Sequence, residues 1–88
     1  MEKRRRIRDF SHDGQRWVVS LIAEDSENGV WRGRTVFFLD ATEGEVRRLD
    51  DTLCFEALSF DELVTQASAL SVGELRQRLS RVVGSDVS

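Results

Sequence analysis

Proline is absent from this chain of 88 residues, so neither strands nor helices meet that interruption. A single cysteine, Cys54, excludes an intramolecular disulfide and points to a reducing, cytoplasmic setting. Histidine is equally scarce. With His12 and Cys54 alone, the chain lacks the nitrogen and sulfur ligands of a zinc site. Neither an EF-hand nor a phosphate-loop pattern is present. No apolar run approaches the roughly 18 residues that a membrane-spanning helix requires. No apolar stretch follows the basic start, so a secretory signal is not expected either. The expectations are therefore no metal, no cofactor and no membrane span.

What is present is ordinary in amount and uneven in placement. A hydrophobic content of 40% with 33% charged residues fits a globular chain rather than a disordered one. Its length suits one domain over 1–88. The net charge of −3 conceals basic ends around an acidic body. Lys3, Arg4, Arg5, Arg6 and Arg8 face Glu2 alone in the first eight residues, and 1–6 is a candidate flexible arm. Residues 9–75 carry fourteen acids against five arginines, which opposes a broad nucleic-acid footprint.

The first half reads as strands. Ile7–Phe10, Arg16–Ala23, Val30–Asp40 and a weaker Val46–Leu53 alternate with turn residues at Asp13-Gly14, Asn28-Gly29 and Glu43-Gly44. Alternation places Trp17, Val19, Leu21 and Ala23 with Trp31, Thr35, Phe37 and Leu39 on one core face. Gly33 marks a bulge or room for an aromatic neighbour. The opposite face carries Val18, Ile22, Val36 and Phe38 among Arg32 and Arg34. It is too apolar for a fully solvated surface.

The second half contains a twelve-residue tandem, ALSFDELVTQAS over 57–68 and ALSVGELRQRLS over 69–80. Its repeated Ser, Glu and Leu columns are the parts that start a helix. Ser59 and Ser71 suit the N-cap, Glu62 and Glu74 the third helical position of a capping box. Leu58 with Leu63, and Leu70 with Leu75, have the spacing of a hydrophobic staple. Phe60, Leu63, Val64, Ala67 and Leu70 form one apolar stripe, and Val72, Leu75, Leu79, Val82 and Val83 another. Gly84 is the expected helix stop, with 84–88 frayed. The fold expected is α+β: an antiparallel meander of three to four strands, then two short helices packed on one sheet face.

Chemistry finds little support. Ser11, His12 and Asp13 are adjacent, whereas a catalytic triad assembles from separated positions. Cys54 lies between Leu53 and Phe55, so a buried, inert thiol is expected. Asp50-Asp51 and Glu24-Asp25 resemble solvated loop acids. The reading is a non-catalytic interaction or regulatory module. It binds a protein partner, or itself as a homodimer, through Val18, Ile22, Arg32, Arg34, Val36 and Phe38. The alternative is a nucleic-acid accessory protein using Lys3, Arg4, Arg5, Arg6 and Arg8, with Arg78 and Arg81 projecting from the last helix.

Overall fold

The computed structural model describes residues 1–26, 28–39 and 47–86. Four antiparallel strands, β1 (Glu2–His12), β2 (Gln15–Asp25), β3 (Trp31–Leu39) and β4 (Arg47–Ala57), form a sheet in sequential order. Two helices follow, α1 (Phe60–Ser68) and α2 (Val72–Asp86). The α+β meander with helices on the sheet is the architecture that the sequence pattern predicts.

The turns have clear local causes. Asp13 and Gly14 both adopt left-handed backbone, φ 52° and 75°, which matches the twist of a two-residue hairpin. Gly29 also has a positive φ of 75°, and the Ser26 amide donates to the Val30 carbonyl at 2.9 Å across that loop. The expected turn at Glu43-Gly44 lies outside the described residues.

The strands differ from the sequence reading by one or two residues at several ends, and three boundaries move further or change a named stop. β1 begins at Glu2 rather than Ile7, and Lys3 through Arg6 pair with Ala23 through Ser20. A run of cations has poor strand propensity by itself, but a long second strand offers it a full ladder. β4 runs on to Ala57, four residues past the expected end. α2 continues through Gly84 to Asp86 instead of stopping there.

The core face is the expected one. Trp17, Val19, Leu21, Ala23, Thr35 and Phe37 are all buried beneath the helices. Two clusters divide it. Leu75 and Leu79 of α2 pack with Phe10, Trp17, Val19 and Phe37, where Phe10 and Phe37 meet edge-on. Leu63 and Ala67 of α1 pack with Leu21 and Ala23 at the other end. Ile7 and Phe55 touch both clusters and join them. Ile7 sits where the β1–β2 register shifts, an irregularity that keeps it on the core side.

Gly33 serves α1. A Cβ there would lie 2.9 Å from Leu21 Cδ1 and 3.3 Å from Leu63 Cδ1. The space is taken by two leucines rather than by an aromatic ring.

The helix starts form as their residues require. Ser59 Oγ accepts from the Glu62 amide at 3.2 Å, and Ser71 Oγ from the Glu74 amide at 3.1 Å. The reciprocal halves depart from the capping-box pattern. Glu62 accepts from the Leu58 amide, one residue early, and Glu74 accepts from the Ser71 hydroxyl. Only the second staple packs: Leu70 and Leu75 share a cluster, whereas Leu58 is 75% exposed. Ala57 faces the core at the end of β4, so alternation turns Leu58 outward.

Candidate functional site

With both helices on one side, no described helix or strand covers the other, open side of the sheet, and its order follows from the register. Arg4, Arg6 and Asp9 of β1 lie beside Val18, Ser20 and Ile22 of β2. Arg32, Arg34, Val36 and Phe38 of β3 come next, flanked by Arg48, Asp50, Cys54 and Glu56 of β4. On the two middle strands Val18, Ile22, Val36 and Phe38 thus form an apolar patch around Ser20, and the other end of these strands carries Glu24, Arg32 and Arg34.

Burial is uneven across that patch. Ile22 is 5% exposed and Val36 fully buried, so these two support the face from within and offer little contact surface. Val18 and Phe38, opposite each other in the register, remain half-buried. The Arg48 guanidinium lies 6.0 Å from the Phe38 ring centroid, within reach of the ring's negative face. Arg48 Nε bonds Asp50 Oδ1 at 2.8 Å, and Arg34 Nε approaches Asp50 Oδ2 at 3.4 Å. Arg32 pairs with Glu56 at 3.1 Å, Arg4 with Glu2 at 3.2 Å, and Asp9 with both Arg16 and Arg6. The hydrogen bond from Arg48 lowers the Asp50 pKa below the ordinary carboxyl value, with the charges of Arg48 and Arg34 adding to it. Arg16 lowers that of Asp9 in the same way.

Cys54 belongs to this open side. It pairs with Arg34 in the register and is exposed, which overturns the buried thiol expected from its neighbours. Alternation explains it, because Phe55 takes the core side and Cys54 must take the other. Beside it, Ile22, Glu24, Arg32, Gly33 and Arg34 outline a shallow depression of about 180 Å³.

The residues of the nucleic-acid reading separate. Arg78 does not project from α2: its Nη1 donates to Asp51 Oδ2 at 2.9 Å, and its guanidinium stacks 5.3 Å from the Phe55 centroid. Thr35 Oγ1 donates to the same carboxylate oxygen at 2.9 Å. Asp51 is therefore a buried anion in β4 and no loop acid, and it ties α2 to the sheet. Thr35, a lone polar residue in an apolar core set, was the sequence clue to that buried partner. Arg8 donates to the Ser68 carbonyl at 3.1 Å, satisfying the C-terminal end of α1. Lys3 sits 5.3 and 5.4 Å from the Trp31 and Phe60 ring centroids. Arg4, Arg5 and Arg6 stay exposed on β1, as does Arg81 on α2.

One further cleft, about 290 Å³, lies where His12, Asp13, Trp17, Arg47 and Ser80 meet. Ser80 Oγ is 3.3 Å from His12 Nε2, and Asp13 Oδ2 is 3.5 Å from that same nitrogen. A proton relay needs the hydroxyl and the carboxylate on opposite imidazole nitrogens, so this trio does not make one. Among the described residues there is no cluster of three metal-ligating side chains. Nor is any described helix long and apolar enough to cross a membrane. No protein family, curated protein or solved structure matches the chain.

Proposed function

We propose that this chain is a non-catalytic interaction module whose open sheet face meets a protein partner, in the simplest form a second copy of itself. The observation that carries the reading is the pair Val18 and Phe38, half-buried near one end of the two central strands, on a face that no described helix covers, with arginine and carboxylate side chains beside it. An apolar centre with a polar rim is the usual composition of a protein interface. The two signs alternate across the face, as in Arg34 with Asp50 and Arg32 with Glu56, so a two-fold copy can meet it with matching charges. A reducing, cytoplasmic compartment suits the exposed thiol of Cys54 on the same face.

Sedimentation equilibrium from about 1 µM to about 1 mM tests the self-association, spanning the weak-to-moderate affinity range. The expected outcome is a dimer that Phe38→Asp converts to a monomer with unchanged circular dichroism. A monomer throughout that range removes the homodimer. Unfolding by Phe38→Asp removes the interface role from this residue.

A further inference from the structure

We infer that the Glu2–Arg6 half of β1 is a docking edge that takes up an extended, acidic segment of a partner protein as an added strand. This inference is independent of the open-face reading, because it uses the sheet's edge rather than its surface.

Position comes first. β1 ends the strand order, and among the described residues nothing pairs with its outer side. An unpaired edge presents backbone donors and acceptors to any strand that can lie against it. From Glu2↔Glu24 to Arg6↔Ser20 the pairing with β2 is regular, and the register shifts only beyond Arg6. Five regular residues span roughly 17 Å, enough for a short strand to dock. The opposite edge is a poorer template: the β3–β4 register is interrupted between Arg34 and Val36. β4 also mixes arginines with acids.

Charge then selects the occupant. Arg4 and Arg6 stand on the open side, beside Ile22 and Ser20. Lys3 and Arg5 stand on the helix side, beside Ala23 and Leu21. From Lys3 to Arg6 an added strand therefore meets cations above and below the sheet, which suits carboxylates on both of its faces. The internal compensation is partial. Arg4 has Glu2 and Arg6 has Asp9, while Arg5 has no ion-pair partner among the described residues. A second copy of β1 is the wrong occupant, since pairing would set cation against cation.

The test uses the full chain, labelled with ¹⁵N, and a blocked heptapeptide Glu-Glu-Val-Glu-Glu-Val-Glu, which sets carboxylates on both faces of a strand. The same peptide N-methylated at alternate residues is the control that keeps charge and loses strand hydrogen bonds. A short thymidine oligonucleotide is the third probe. The expected result is that the plain peptide binds at low salt and slows amide exchange within residues 2–6 at least about tenfold. N-methylation, or Arg4→Gln with Arg5→Gln and Arg6→Gln, should weaken binding at least about tenfold. Three results overturn the inference: no peptide binding at low salt, equal binding of the methylated peptide, or tighter binding of the oligonucleotide at the same residues. Protection centred on Val18 and Phe38 also overturns it, and leaves the open-face reading standing.

Discussion

Phe37 and Phe38 are chain neighbours on β3, yet they belong to two different kinds of surface. Phe37 is fully buried under the helices and meets Phe10 edge-on, in a layer built from apolar side chains. Phe38 is half-buried on the open side, with the Arg48 guanidinium 6.0 Å from its ring centroid. On the first face, apolar atoms are removed from water by other apolar atoms. On the second, the Arg48 guanidinium beside the Phe38 ring is paired with Asp50, so one arginine sits against apolar surface while its head keeps a polar partner. The first arrangement is made for stability. The second leaves apolar surface partly accessible to solvent beside paired charges.

The sharpest break in this comparison is to truncate each ring in turn. Phe37→Ala should cost about 3–5 kcal/mol, the range for a buried aromatic. Phe38→Ala should cost under about 1.5 kcal/mol, because part of that ring is already in water. Urea midpoints of the two variants measure the difference. Equal losses would mean that the open face is a second core.

Next in size is the buried Asp51–Arg78 pair, which stands on the helix side yet is ionic. Asp51→Ala leaves the guanidinium and the Thr35 hydroxyl without their acceptor and should cost about 3–5 kcal/mol. Combining Asp51→Leu with Arg78→Met should cost much less, since no buried charge is stranded. A double variant as unstable as Asp51→Ala would show that the latch depends on charge as such.

Gly33→Val probes the close approach of α1. Its added carbons would collide with Leu21 and Leu63, and a loss of about 1–3 kcal/mol is expected from overpacking. Thermal melting of this variant beside Gly73→Ala, where a Cβ meets only the Ser71 hydroxyl at 3.8 Å, separates packing from chain entropy.

The smallest effect concerns the open face and pH. Asp50 has its folded pKa lowered by Arg48, so its contribution is present above the unfolded value of about 3.9 and is lost as pH falls through the folded one. Because this carboxylate is 42% exposed, screening holds the effect to under about 1 kcal/mol. Asp50→Asn should remove part of the stability difference between neutral and strongly acidic pH, and should reduce its salt dependence. An unchanged acid limb in urea titrations would detach Asp50 from the screening of this face.

The amino-acid sequence by itself determined what is local. Asp13-Gly14 makes its turn because two adjacent left-handed residues favour it. Ser59 and Ser71 cap their helices because a hydroxyl lies three residues before an orphan amide. Alternation in β2 and β3 chose the core face, since a period of two leaves no other assignment. The tertiary structure decided what depends on a distant partner. Lys3 through Arg6 are strand only because β2 is long enough to pair with them. Cys54 is exposed and Asp51 buried because β4 runs on beside β3. Arg78 turned inward because that buried carboxylate, 27 residues earlier, awaits a cation. Charge and polarity in a sequence record what a side chain offers. Which offers are taken up depends on contacts between segments far apart in the chain, and those exist only once it has folded.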